Sequence, residues 1–371
     1  MADHPDNRDA LTSAVSEYLT RSFDSDRRLS LLDKGGLDVQ FQAELAELGW
    51  FALAVPERHE GLGFPLCALG PVFTTFGRHL VPGPMLESLL LPAVLLDGHD
   101  NAALTARLQR TIAEGAVLAL ADPGITYDWL RDVGGITLTD DGLQGSVALA
   151  RFAAQAHSFV VIARRGDEQA VCVVDAADPG VVVEEIDSAD PTARYGRVTF
   201  NGAHRDIAPL AVGPESDTLI GQIRSWARLL IACELTGIAE RLLERTVDYV
   251  QQRQQFGAAI GTFQAVKHTV ANMYERTSSL RNLCATAMAD APASTEQKLA
   301  HTAAVAKAYA ADAALRVCED ALQMHGGLGF TTVVELHWYY KRALALRAWY
   351  GDEIELHRAI GATILAAPEL L

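Results

Sequence analysis

The sequence of 371 residues sets 31 Lys and Arg against 47 Asp and Glu, a formal net charge of −16. So acidic a chain makes a poor general binder of nucleic-acid backbone, although a local basic site for a small anion stays open to it. Its apolar fraction of 49% excludes global disorder, and at roughly 150 residues per domain two or three domains are expected.

The first stretch, residues 1–115, reads mostly as helices. Phe41, Leu45 and Leu48 share one helical face in FQAELAELGW. Pro and Gly break the pattern over residues 55–63, and apolar helical runs resume at 66–76 and 85–96. The second stretch, 116–212, is a β-domain. Short runs such as GAVLALA, GITLT, FVVIARR, AVCVVD, GVVVEEI and GRVTF alternate with turns at Asp140-Asp141-Gly142, Gly166-Asp167-Glu168 and Asp178-Pro179-Gly180. The third stretch, 213–371, returns to helices. One runs from 216 to 255, with Ile223, Trp226, Leu230, Gly237 and Leu242 facing inward, and a second runs from 264 to about 288. A capping box with Ser294 as N-cap and Gln297 at N3 opens a third helix that ends at Gly326-Gly327. Two more follow at 333–349 and 352–366, which together make a helix bundle.

Several classes of function drop out. The five cysteines, at 67, 172, 233, 284 and 318, form no CxxC or Cys/His cluster, so no zinc site is expected. They read as reduced thiols filling the core of a cytoplasmic protein. The opening MADHPDNRDALTSAV has no signal-peptide character, and the longest apolar run, 89–96, falls far short of the roughly 20 residues of a membrane span.

Two motifs carry chemistry. In Arg253-x-x-Phe256-Gly257-x-x-Ile260-Gly261-x-Phe263-Gln264, an Arg at a helix end precedes a Gly-rich connector and a helix opening with Gln. Arg suits a phosphate, Phe256 could cover an aromatic heterocycle, and Gly257 allows close backbone approach. The bland alternative is an Arg placed at a helix C-terminus by the macrodipole. In Gln323-Met324-His325-Gly326-Gly327-Leu328-Gly329-Phe330, three glycines at a helix end let backbone amides approach a ligand, or simply stop the helix. His325 reads as a packed histidine rather than an acid or base.

Together these motifs resemble the acyl-CoA dehydrogenase family. Leu48-Gly49, Val55-Pro56-Glu57 and Gly61-Leu62-Gly63, then Phe76-Gly77-Arg78, are similar to its N-terminal pattern. The resemblance implies an α+β fold with an N-terminal helical domain, a middle β-barrel or sandwich and a C-terminal four-helix bundle. It also implies FAD held across a subunit interface. One subunit's β-domain carries the flavin ring, and the neighbour's bundle holds the ADP half. The residues matching that ADP side are Arg253, Phe256, Gln264, Gln323 and Gly327, with Gly326 beside them. The implied reaction removes an α-proton from an acyl-CoA with a glutamate base and passes the β-hydride to the flavin.

The ring side departs from the family's pattern. Its Thr-Glu-Pro and Gly-Ser-Asp are replaced by Ala121-Asp122-Pro123-Gly124 and Ile125-Thr126-Tyr127. Its Gly-x-Lys-x-aromatic-Ile-Thr becomes Gly145-Ser146-Val147-Ala148-Leu149-Ala150-Arg151. The base positions fall on Tyr350 or Gly351, or on Ala227, none a carboxylate. Asp352 and Glu353 are candidates for a displaced base and Glu234 a further one; as bland readings, acids at a helix N-terminus favour its dipole.

A retained ADP side with a lost ring side resembles the non-catalytic chain of α2β2 acyl-CoA dehydrogenases that act on steroid side-chain CoA esters. That expectation pairs the chain with a paralogous catalytic subunit, with electron-transferring flavoprotein as acceptor. The alternatives are a self-sufficient homotetramer with a displaced carboxylate base and a flavin-free scaffold of the same fold.

Overall fold

A computed structural model of the chain describes residues 5–99, 101–125, 135–204, 207–331 and 334–367. The chain divides into two compact units, and the division falls within one long helix, between Ala227 and Arg228.

The first unit comprises residues 1–7, 26–66 and 82–227. Its helices include α2 (Ser25–Asp33), α3 (Val39–Glu47), α5 (Met85–Asp97) and α6 (Ala102–Glu114). Asp38 caps α3 by accepting from the backbone amides of Gln40 and Phe41. Phe41 and Leu45 are buried as their spacing predicts, but Leu48 is exposed. The helix stops before it, because Gly49 turns the backbone left-handed at φ 76°, and Leu48 leaves the inward face. Helix α5 is buried nearly all round, as an apolar helix must be.

The sheet of this unit contains β1 (Leu118–Ala121), β2 (Ile136–Thr139), β3 (Gly142–Arg151), β4 (Ser158–Arg165), β5 (Glu168–Asp175), β6 (Val181–Ile186), β7 (Tyr195–Ala203) and β8 (Ala211–Val212). The strand order is β6-β7-β3-β2-β4-β5-β8, with β1 added in parallel to β4. Among the described residues β6 and β8 do not pair, so the sheet is open, in keeping with a sandwich and not a closed barrel. Each expected turn joins or precedes a strand. Gly166-Asp167 closes the β4–β5 hairpin, in which Arg165 pairs with Glu168. The longest strand, β3, escapes simple alternation because its pairing with β7 shifts register twice. Phe159 and Phe200 meet edge to face at 6.3 Å within a core that also holds Ala121, Val147 and Ala150.

The second unit comprises residues 8–25, 67–81 and 228–371. It holds most of α1 (Pro5–Ser22), α4 (Leu69–His79), the later part of α7 (Pro214–Gln252), α8 (Gln264–Asp290), α9 (Glu296–His325), α10 (Leu336–Ala348) and α11 (Glu353–Ala366). Helices α4 and α7 touch backbone to backbone. A Cβ at Gly77 would lie 1.9 Å from the Glu234 carbonyl oxygen, and one at Gly237 would lie 1.9 Å from that of Thr74. The Phe76-Gly77-Arg78 motif therefore has a packing cause. Arg78, one residue on, bonds to Glu240 and Glu244 on the facing helix. Helix α9 starts one residue later than the Ser294 box predicts. Thr295 is the cap and accepts from the Lys298 amide, while the Ser294 hydroxyl donates back to Asp290 in the preceding turn.

All five cysteines are buried and outside any disulfide, and burial pushes the Cys172 thiol up to about 12. Among the described residues no helix is long and apolar enough to cross a membrane.

Candidate functional site

The two C-terminal motifs form one tip of the second unit. Helix α7 ends at Gln252, and Arg253 leads into a two-stranded hairpin of Gln254–Gln255 and Ala258–Ala259. Its two-residue loop is Phe256-Gly257, with φ of 53° and 80°, both positive as a type I′ turn demands. Phe256 is 94% exposed, and Phe263 meets its ring edge to face at 6.2 Å. The Arg253 carbonyl accepts from the Ile260 amide at 2.9 Å, which fixes the connector, while the Arg253 side chain is exposed. Gln264 opens α8 and is also exposed.

Helix α9 ends beside this hairpin. Tyr249, one turn before Arg253, stacks on His325 with ring centroids 4.2 Å apart and donates to the His325 carbonyl at 3.5 Å. His325 Nδ1 lies 2.8 Å from the Ala321 carbonyl, and burial lowers the pKa of the ring. That is a packed histidine. Gln323, Gly326 and Gly327 are exposed, Gly326 has φ 58°, and a Cβ at either glycine would meet no atom within 4 Å. The six candidate residues thus share one end of the unit. They offer a free guanidinium, an aromatic face, two amides and bare backbone. Those groups fit the ADP half of a dinucleotide: cation for phosphate, ring for base, amides for sugar and phosphate oxygens. An open apolar cavity of about 630 Å³, lined by Leu243, Val247, Val250, Val266, Val270 and Tyr274, adjoins the hairpin.

The strand ends of the first unit are closed instead. Ala121 is fully buried in the sheet core. Asp122 takes two bonds from Arg224, at 2.9 Å from Nε and 2.8 Å from Nη2, and a third from the Gly124 amide at 2.7 Å. Arg151 ends β3 with its side chain 2% exposed, 3.4 Å from the carboxylate of Glu87, which is 3% exposed. Thr126 and Tyr127 lie outside the described residues.

The base positions are equally occupied. Ala227 and Tyr350 are both buried. Tyr350 and Gly351 form a left-handed turn, with φ of 65° and 104°. The Tyr350 carbonyl accepts from Arg228 Nε at 3.0 Å. Lys307, fully buried on α9, donates to the Arg347 and Gly351 carbonyls at 2.9 and 3.1 Å, and desolvation brings it down to about 7. Asp352 is the N-cap of α11 in a reciprocal box with Glu355. Glu353 is bound by Arg347, whose hydrogen bond holds the carboxyl below its ordinary range. Glu234 is buried and accepts from Arg342 Nε at 2.8 Å. Sequence reasoning missed Lys307 and the Glu87 partner of Arg151. Lys307 does leave a signal, a lone cation in the run AAVAKAYAADAA.

Residues 220–365 match the acyl-CoA dehydrogenase C-terminal domain. The acyl-CoA dehydrogenase IpdE2 of Mycobacterium tuberculosis is 28% identical over 369 residues, covering 98% of this chain and 99% of that protein. The acyl-CoA dehydrogenase FadE34 of the same organism is 30% identical over 309 residues, 83% of this chain; the match spans only 40% of FadE34. The ChsE4-ChsE5 complex from M. tuberculosis contains a chain with TM-score 0.84 and 25% identity, covering 97% of both chains. A variant of the Tcur3481-Tcur3483 steroid ACAD superposes with TM-score 0.87 at 24% identity, over 98% of this chain and 99% of that one, a likeness of fold. The motifs, the order of helices, sheet and bundle, and these relatives agree: the chain belongs to the acyl-CoA dehydrogenase family.

Proposed function

We propose that the chain is the non-catalytic subunit of an α2β2 FAD-dependent acyl-CoA dehydrogenase. In this reading its exposed tip holds the ADP half of an FAD whose ring lies on a paralogous catalytic subunit. The observation that carries it is the contrast between that tip and the occupied base positions. Phe256 is 94% exposed, an expensive arrangement for an aromatic ring with nothing to cover it. Arg253 binds a phosphate, Phe256 covers the adenine, Gln264 and Gln323 orient the dinucleotide, and Gly326 and Gly327 admit it to the backbone. FAD, when bound, supplies the hydride acceptor for α,β-dehydrogenation of an acyl-CoA. The partner supplies the carboxylate that removes the α-proton, since Asp352, Glu353 and Glu234 are engaged in a cap and two ion pairs. The apolar cavity beside the hairpin receives side chains of that partner.

The ChsE4-ChsE5 complex, in which two differently named chains associate, supports the paired assembly. The substrate is a bulky CoA ester of the steroid side-chain type, proposed from the resemblance to non-catalytic subunits. Electron-transferring flavoprotein is the proposed acceptor, and five buried cysteines outside any disulfide suit a cytoplasmic setting. Co-expression with a glutamate-bearing paralogue is expected to yield a flavin-loaded, active complex, and each chain alone is expected to be flavin-poor. One FAD per chain, with turnover by this chain alone, would sink the proposal.

A further inference from the structure

We propose that Glu87 and Arg151 form an internal plug that keeps a flavin ring off this chain's own sheet. The proposal rests on the shared-cofactor reading above and explains why this chain holds only one side of the site.

Energetics give the first argument. Glu87 stands in the first turn of α5 and Arg151 at the end of β3, and both side chains are almost wholly buried. Their closest approach is 3.4 Å, and among the described residues Nε, Nη1 and Nη2 of Arg151 and Oε2 of Glu87 have no hydrogen-bond partner. Two charges taken from water with so few bonds in return do not make a stabilising pair; apolar residues of similar volume would serve packing better. The pair is explained by what it occupies.

Volume and place give the second. Arg151 is the bulkiest of the fully buried side chains among the described residues. It stands where the family's pattern has a Thr, in one of the two segments that the resemblance sets against the ring. The other segment is shut independently. Ala121 is buried in the sheet core, and Asp122 is held by Arg224. A Cβ at Gly124 would lie 2.3 Å from Arg224 Nη2, so the guanidinium presses directly on the turn. Both strand ends that a ring would need are filled with the chain's own charges.

The probe is lumiflavin, the bare ring system, titrated by fluorescence quenching into the purified chain. It reports on the ring side without involving the ADP tip. Wild type is expected to show no saturable binding. Glu87→Gln with Arg151→Thr removes both charges and most of the volume, and is expected to bind at least tenfold more tightly than Glu87→Leu with Arg151→Met, which refills the space. Arg151→Lys keeps the ion pair and shortens the side chain; it is expected to fall between wild type and the Gln/Thr variant. Saturable binding by wild type overturns the plug. So does the absence of any gain in whichever of the Gln/Thr and Lys variants fold with a cooperative melt. The shared-cofactor reading fails separately, if Arg253→Ala leaves the flavin content of the two-chain complex unchanged.

Discussion

The tip of the second unit and the strand ends of the first treat the same kinds of side chain in opposite ways. At the tip, Arg253, Phe256, Gln264 and Gln323 are exposed. At the strand ends, Asp122 and Arg151 are buried and engaged by Arg224 and Glu87. The family's pattern is kept at the first and lost at the second. The difference teaches that the lost positions were filled, not merely emptied. A cofactor surface that is no longer used would otherwise leave polar backbone and a void, both destabilising. In the proposed reading the tip is a surface that a partner covers, and its polar groups stay outside, where water satisfies them until then.

The largest effect that can break this contrast is expected at Glu87. Glu87→Ala strands the buried Arg151 guanidinium and should cost about 3–5 kcal/mol in chemical denaturation. Glu87→Leu with Arg151→Met should recover that loss or exceed it. A loss below about 1 kcal/mol for Glu87→Ala would mean the site is hydrated and the closure is not real.

Lys307 extends the comparison to the 347–353 turn. Its folded value, about 7, lies below its ordinary value of 10.5. Between these values the unfolded chain holds a proton that the folded chain has released. Stability should therefore rise with pH across that window, by up to about 1.4 kcal/mol per pH unit. Below pH 7 the folded chain carries the buried charge at full penalty. Lys307→Met should abolish the rise, and an identical slope in both proteins would show that Lys307 stays charged and hydrated.

Arg253→Ala acts on the open side. Losing one charge-assisted phosphate contact of about 1.5–3 kcal/mol should weaken FAD retention by the two-chain complex roughly 10- to 150-fold. The melting temperature of this chain alone should not move. Equilibrium dialysis of the complex against FAD-free buffer measures the first, and a thermal melt of the isolated chain measures the second.

These regions were unequally legible in the sequence. Order and type of elements came from periodicity and from Gly, Pro and Asp turns, which act locally. Gly77 and Gly237 could be marked as motif and inward residues, but only a Cβ 1.9 Å from a carbonyl of the facing helix explains them. The tip is legible because its residues fall in two short motifs, 253–264 and 323–330, each marked locally by Gly beside a helix end. The closed side is not. Arg151 stands out as a substitution, yet Glu87 lies 64 residues away with nothing local to mark it, and Asp122 and Arg224 are 102 apart. Lys307 is similar: its two acceptors are backbone carbonyls, which no residue type announces.

Phe256 is expected to give the smallest effect on stability and the sharpest reading of the contrast. At 94% exposure its ring buries almost nothing in the isolated chain, so Phe256→Ala should change stability by no more than about 0.5 kcal/mol. The left-handed φ of 53° is no easier for Ala than for Phe, which leaves the hairpin turn as strained as before. If the ring is a cover waiting for adenine, the same substitution should weaken FAD binding in the two-chain complex by about 0.5–1.5 kcal/mol of lost stacking. A ring that instead packs on the partner's apolar side chains would change subunit affinity and leave FAD retention, at fixed complex concentration, where it was. Measuring subunit dissociation and flavin release on the same preparation separates the two. An effect on isolated-chain stability larger than the expected limit would mean that the tip is not open at all.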